Sequence, residues 1–217
     1  PGEPCLVIDP GQDSIDGVQE AVREHRLLPA AVLLTHGHID HIWSVAPVAA
    51  GYGIPAYIHG QDRYRLADPM GSTMFPRERL QEMTKGTLEL TEPDEIRVLD
   101  DQTVLDLAGI SLRVTHAPGH TEGSVVFVRD ALDDVPPVMF SGDVLFAGSI
   151  GRTDLPGGDM AAMVESLRRV ILPAADETVV LPGHGPQTTI AAERASNPYL
   201  IESGLAGSGV QPPTRGM

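Results

Sequence analysis

Thr35-His36-Gly37-His38-Ile39-Asp40-His41 places three imidazoles and a carboxylate within six positions, directly behind the apolar run Ala31-Val32-Leu33-Leu34. Crowding of this kind costs electrostatic repulsion and desolvation, and a bound cation offsets both. Imidazole suits zinc and iron, and carboxylate accepts either. The stretch therefore reads as a metal-binding loop at the end of a strand.

Three further segments repeat that context. Val114-Thr115-His116-Ala117-Pro118-Gly119-His120-Thr121, Val138-Met139-Phe140-Ser141-Gly142-Asp143 and Val179-Val180-Leu181-Pro182-Gly183-His184-Gly185 each run from apolar or β-branched residues into a glycine turn and a potential ligand. Loops held on a rigid sheet let ligands converge without burying unpaired backbone, and glycine permits close approach to an ion. Four distant segments are thus expected to meet at one edge.

Alternation of strand-like and helix-like segments runs from end to end. Cys5 to Asp9 reads as a strand, Ser14 to Leu28 as a helix with Ile15, Val18 and Val22 on one stripe, and Ala31 to Leu34 as the next strand. His41 to Ala50 is expected to form a helix beneath the site, followed by the strand Ala56 to His59. His59 lacks the glycine-turn context of the other histidines and reads as a capping or core residue. Residues 61–93 are broken by proline and glycine and hold Arg63, Tyr64, Arg65, Met70, Met74, Phe75 and Met83. They read either as an excursion covering the metal edge or as a surface insertion packing its methionines.

Thr103 to Leu107 and Ile110 to Val114 flank Ala108-Gly109 with period-2 alternation, which predicts a β-hairpin. Strands follow at Ser124 to Val128 and Val138 to Phe140. Asp159 then caps a helix with Met160, Met163, Val164, Leu167, Val170 and Ile171 at helical spacing, a core stripe stopped by Pro173. Thr178 to Leu181 supplies the last strand and Thr188 to Ala195 a short helix.

The chain of 217 residues fits one domain, residues 1–203, with a flexible glycine- and proline-rich tail at 204–217. Pro1 opens close to a strand-like segment, so one or more strands are expected before it. Thirty acidic against fifteen basic residues give a net charge of −15, which argues against nucleic acid as a partner, since phosphate neutralisation needs a basic stripe. No apolar run is long enough to span a bilayer, so no membrane partner is expected. A single cysteine, Cys5, cannot form an internal disulfide and is consistent with a reducing cytoplasm. Nothing in the residues fixes an oligomeric state.

With His36, His38, Asp40, His41, His120, Asp143 and His184 in this order, the chain resembles the metallo-β-lactamase superfamily of metal-dependent hydrolases over nearly its whole length. Ser141-Gly142-Asp143, Ser149-Ile150-Gly151-Arg152-Thr153-Asp154 and Pro182-Gly183-His184-Gly185 are similar to the glyoxalase II-like, or hydroxyacylglutathione hydrolase-like, group. The resemblance implies an α/β fold, the αββα sandwich of two mixed β-sheets flanked by helices. It also implies two divalent metal ions, zinc first, with iron or manganese as alternatives. By the same resemblance His36, His38 and His120 hold one ion, Asp40, His41 and His184 the second, and Asp143 bridges them.

Two divalent ions set against two carboxylates and a hydroxide leave residual positive charge to meet an anion. Ions about 3.5–4 Å apart lower the pKa of a shared water, polarise a carbonyl and stabilise the oxygens that gain charge. Asp40, inside the ligand run, is placed both to bind a metal and to orient the attacking hydroxide, the most direct catalytic role after the ions.

Departures from neighbouring groups narrow the choice. Antibiotic hydrolases of this fold usually carry cysteine or serine where Asp143 stands, electron-transferring diiron members carry glutamate in place of His38, and nuclease members use basic surfaces. Glyoxalase II has lysine where this chain has Arg152 and tyrosine where it has Asp154. Arg152 retains a base and is the candidate substrate-binding residue, with an ion pair to Asp154 as the alternative reading. The stretch after His184 is expected to be too short for the helical domain that completes a glutathione pocket, which leaves the thiol carrier open.

The expected activity is hydrolysis of a small, anionic thioester of a 2-hydroxyacid by metal-bound hydroxide, in the cytoplasm. The main alternative is a mononuclear iron persulfide dioxygenase, in which only His36, His120 and Asp143 would bind iron. A lactone or ester hydrolase of the same superfamily is a further one. His184 in its Pro-Gly-His-Gly turn favours two metals. A purely structural metal fits poorly, because structural zinc sites are closed and cysteine-rich.

Overall fold

The computed structural model describes residues 2–69 and 91–201. Met70, Met74, Phe75 and Met83, with most of the expected excursion, lie outside the described residues, as does the expected tail at 204–217. Two sheets face each other. The first comprises β1 (Glu3–Ile8), β2 (Leu27–Leu33), β3 (Ala56–His59) and β4 (Ile96–Leu99), side by side in that order and all parallel. The second comprises β5 (Val104–Leu107), β6 (Ile110–His116), β7 (Val125–Arg129), β8 (Val138–Gly142), β9 (Val179–Pro182) and β10 (Thr188–Thr189). Its order is β10-β9-β8-β7-β6-β5, and it is mixed: β8 and β9 run parallel while the other neighbours are antiparallel.

The side-chain period of β2 builds the layers. Ala31 and Leu33 point inward to meet Leu99, Leu112, Val114, Val125 and Phe127 between the sheets. Val32 and Leu34 point outward to pack on Val45, Val48 and Ala49 of the helical layer. From Ala31 onward both faces of β2 are buried, which is why that stretch is a continuous apolar run rather than an alternation. On the far side Val126, Met139 and Val180 of the second sheet pack on Met163, Leu167 and Ile171. The result is the expected helix–sheet–sheet–helix sandwich, except that among the described residues only the second sheet is mixed and the first is parallel throughout. Among the described residues no helix is long and apolar enough to cross a membrane.

Local chemistry explains where elements begin and end. Ala108 and Gly109 join β5 to β6 with φ of 55° and 73°, the left-handed pair that matches the twist of a two-residue hairpin. The first helix, α1 (Ile15–Glu24), stops earlier than its stripe suggests, because Arg26 takes a φ of 53° and Leu27 already pairs with Glu3. The single helix expected from His41 to Ala50 is two, α2 (Ile39–Ile42) and α3 (Val45–Tyr52). Pro47 has no N–H to give the Trp43 carbonyl, so no helix can run through from α2, while proline is tolerated in the first turn of a new one. Ser44 fills the break: its N–H donates to the Pro10 carbonyl at 2.9 Å and its Oγ to the Gly11 carbonyl at 2.7 Å.

Among the described residues two more helices follow, after the short α4 (Tyr64–Ala67): α5 (Met160–Ser166), which widens into a π turn at Leu167–Ile171, and α6 (Ile190–Ser196). Asp159 caps α5 as expected, its Oδ1 accepting from the Ala162 N–H at 3.0 Å. Asp159→Ala is expected to lower the free energy of unfolding by about 1 kcal/mol in a denaturant titration. An unchanged midpoint would show that the cap contributes nothing.

Candidate metal centre

The strands of both sheets deliver the candidate residues to one edge. His36 and His38 follow β2, Asp40 and His41 ride on α2, His120 follows β6, Asp143 follows β8 and His184 follows β9. The structure brings all seven together. His36, His38 and His120 form one set whose ligand atoms lie within 4.8 Å of one another, and Asp40, His41 and His184 form another. Asp143 stands between them: its Oδ2 is 3.4 Å from His120 Nε2 and 3.6 Å from His184 Nε2, and its Oδ1 is 3.3 Å from His41 Nε2. His36, His38, His41, His120 and Asp143 are buried, whereas Asp40 and His184 form the solvent-facing side of the site, each about half exposed.

Hydrogen bonds from behind aim the rings. His120 Nδ1 lies 2.7 Å from the Arg152 carbonyl, which can only accept, so this nitrogen carries the proton and Nε2 faces the site as a lone pair. Asp9, at the end of β1, does the same for His41. Its Oδ2 is 3.0 Å from His41 Nδ1 and accepts from the Thr35 hydroxyl at 2.6 Å, while its Oδ1 accepts from the Thr35 N–H at 2.8 Å. Asp9 was not singled out from sequence. The available signal was that Val7-Ile8-Asp9 runs from apolar residues into Pro10-Gly11, the same strand-to-turn context as Asp143. Gly183 packs directly against the ligands: a Cβ there would lie 2.3 Å from Asp143 Oδ1 and 2.6 Å from His41 Cε1, so a larger residue would push the β9 turn out of the site.

The donor set fits cations. Nε2 of His36, Nε2 of His38 and Oδ1 of Asp143 are buried without a hydrogen-bond partner, and buried polar atoms are rarely left so. His38 Nδ1 and His120 Nε2 approach to 2.7 Å, a spacing that one shared proton or one shared ion would satisfy. Five imidazoles and two carboxylates crowded at one edge match the chemistry of zinc, iron or manganese.

Two histidines sort elsewhere. His59 caps the 3-10 turn Gly60–Asp62, accepting from the Gln61 N–H, and stacks on His116 with centroids 4.1 Å apart. Arg152 lies at the rim, its Nε and Nη2 donating to the two carboxylate oxygens of Asp154 at 2.6 and 2.8 Å. The ion pair read as an alternative from sequence is therefore present, and the Arg152 backbone also supports His120. Phe146, also unmarked in the sequence reading, sets its ring edge-on to His184 at 6.0 Å.

Electrostatics divides the histidines into two groups. Burial, reinforced by neighbouring imidazoles, holds His36 well below the ordinary histidine range. Burial together with His120 and Arg65 pushes His38 down to about 3. Burial also lowers His120. His41 goes the other way: burial would lower it, but the carboxylates of Asp143 and Asp9 beside its ring outweigh this and raise it. His184 is raised, chiefly by its hydrogen bond to Asp40. Burial alone would raise Asp40, yet the hydrogen bond from His184 and the charge on His41 hold its carboxyl well below the usual range.

The fold and this histidine-rich site define a metal-dependent hydrolase. The family model described as Metallo-beta-lactamase superfamily matches residues 1–184, and the chain belongs to that superfamily. It is similar to a probable metallo-hydrolase, YqgX, of Bacillus subtilis, with 36% identity over 90% of this chain and 87% of that one. It is also similar to the hydroxyacylglutathione hydrolase GloC of Haemophilus influenzae, with 32% identity over 90% of this chain and 87% of that one. Among solved structures it is similar to the B3 metallo-beta-lactamase BLEG-1, with a TM-score of 0.75 and 36% identity over 92% of this chain and 90% of that one. A protein solved in a di-iron-bound form gives a TM-score of 0.73 and 36% identity over 89% of this chain and 88% of that one.

The opposed shifts make a test of proton linkage. His36, His38 and His120, lowered, are neutral near pH 7, so an ion entering that set displaces no proton. His41, raised well above the ordinary histidine range, holds a proton that an ion must expel, and His184 is shifted in the same direction, so the binding constant there rises with pH. Calorimetric zinc titrations in several buffers, from about pH 6 to 8, are expected to show one pH-insensitive step and one that releases protons and tightens with pH. Two steps of equal pH slope would contradict the assignment.

Proposed function

We propose that this chain is a binuclear hydrolase of the glyoxalase II-like group, cleaving a small anionic thioester of a 2-hydroxyacid in the cytoplasm. The observation that carries the proposal is the position of Asp143, a buried carboxylate with imidazoles of both donor sets within 3.3 to 3.6 Å of its two oxygens. A carboxylate between two ligand sets suits a pair of ions better than one. His36, His38 and His120 would hold the first ion, Asp40, His41 and His184 the second, and Asp143 would serve both. Zinc, iron and manganese all suit these donors, and the similarity to a di-iron protein keeps iron among them.

When bound, a pair of divalent ions supplies water activated near neutral pH and positive charge opposite a developing oxyanion. The protein residues do the rest. Asp40, half exposed and 3.2 Å from His184 Nε2, stays ionised and can take a proton from an attacking water or orient it. Asp9 and the Arg152 carbonyl keep His41 and His120 in fixed tautomers, so their site-facing nitrogens need not reorganise during turnover. Arg152 at the rim offers a guanidinium to an anionic group of the substrate, with Asp154 as the carboxylate it would exchange.

The similarity to a hydroxyacylglutathione hydrolase supports the thioester, and the similarity to a B3 lactamase makes a β-lactam the proper comparison substrate. Purified protein is expected to hold close to two metal ions per chain and to hydrolyse S-lactoylglutathione with a kcat/KM far above that for a cephalosporin. One iron per chain, with oxygen uptake on glutathione persulfide, would overturn this in favour of the dioxygenase. Faster turnover of a lactone or plain ester would keep the hydrolase and overturn the thioester.

Arg152→Ala is expected to raise KM for the anionic thioester about five-fold with little change in kcat, the signature of lost ground-state contact at an exposed cation. Unchanged kinetics would leave Arg152 with only its backbone contribution.

A further inference from the structure

Beneath the histidines lies a polar cluster that the hydrolytic reading does not use. Asp62 closes the turn Gly60–Asp62 after β3 and is fully buried. Its Oδ2 accepts from the Gly37 N–H and the Thr121 hydroxyl, both at 2.7 Å. Its Oδ1 accepts from the Gly123 N–H at 2.8 Å and from Arg65 Nε at 3.3 Å. Gly37 separates His36 from His38, and Thr121 follows His120 directly. One carboxylate therefore ties the loop that leaves the first sheet to the loop that leaves the second, at the residues adjoining three histidines.

Arg65 completes the cluster and is itself fully buried. It ion-pairs with Asp62, and its Nη2 donates to Glu122 Oε2 at 2.6 Å and to the Pro156 carbonyl at 3.1 Å. Its stem fills the space beneath the first loop: a Cβ on Gly37 would come within 2.6 Å of Arg65 Cδ. Burying two such charges is a poor way to gain stability, because an apolar pair of similar size often serves as well. What an apolar pair could not supply is an acceptor for two loop N–H groups and a hydroxyl. Nothing in the αββα sandwich itself requires those groups to converge, whereas three histidines that must present their nitrogens together do require it.

We infer that Asp62 is the positioning residue of the His36, His38 and His120 set, fixing the spacing of its two loops, with Arg65 as its charge partner. The inference rests on the two-ion reading. It predicts that damage to Asp62 falls on one ion and spares the other, since Asp40, His41 and His184 are held by α2 and the β9 turn rather than by Asp62.

The test uses the full chain, stripped with a chelator and titrated with Co(II), reading visible d–d bands and competition for the ion. His38→Ala and His184→Ala assign the two steps. Asp62→Asn, which keeps the size and removes the charge, is expected to weaken the three-histidine step by about 10–100-fold and shift its bands. The other step should move by less than about three-fold, within the spread expected of a residue that does not touch it. Thr121→Val, which removes one of the four bonds, should produce the same selective loss to a smaller degree, with Thr121→Ser restoring the wild-type constant. Thr121→Val keeps the test open if Asp62→Asn fails to fold. Equal weakening of both steps, or no change in either, would overturn the inference. A wild-type protein that takes only one Co(II) would instead overturn the two-ion reading, and the effect of Asp62→Asn on that single ion would still decide whether Asp62 positions the histidines.

Discussion

Five histidines drawn to one edge of a sandwich, most of them out of water, make an arrangement that the protein alone does not satisfy. Nε2 of His36, Nε2 of His38 and Oδ1 of Asp143 are buried without hydrogen-bond partners, and His38 and His120 press their nitrogens to 2.7 Å. Each unpartnered buried atom costs free energy in the isolated fold. A cation offsets all of them at once, because it needs unprotonated nitrogen lone pairs close together and a carboxylate nearby. The sheets, their register and the glycines at their ends serve that convergence.

The supporting structure is layered in depth. Asp9 and the Arg152 carbonyl fix individual rings, while Asp62 and Arg65 fix the loops from which rings project. The solvent side is treated differently: Asp40 and His184 are half exposed, and Arg152 sits at the rim with Asp154. Buried imidazoles on one side and the half-exposed Asp40 and His184 on the other give the site an inside and an outside. Such asymmetry suits the proposed hydrolysis, in which a substrate would arrive from the open side.

The strand-to-turn-to-ligand rhythm was legible because its physics is local. An apolar run must end before histidines begin, a glycine must allow the turn, and both are visible within a dozen residues of His36, Asp143 and His184. The hairpin at Ala108-Gly109 and the cap at Asp159 were legible for the same reason. Asp9 and Asp62 were not, because each acts across the fold, through bonds to Thr35, His41, Gly37, Thr121 and Gly123 that no spacing announces. The break between α2 and α3 needed Pro47 to be weighed against an otherwise continuous apolar stripe. Arg152 was marked for its side chain, yet its carbonyl is what touches the histidine set.

The most direct measurement is the stability of the fold with and without metal. If cations offset the strain of these buried groups, chelator-treated protein should unfold at a clearly lower denaturant concentration than the same protein in excess zinc. The gap should widen with zinc concentration as mass action requires for a ligand that binds only the folded chain. Superimposable unfolding curves in chelator and in excess zinc would contradict the account.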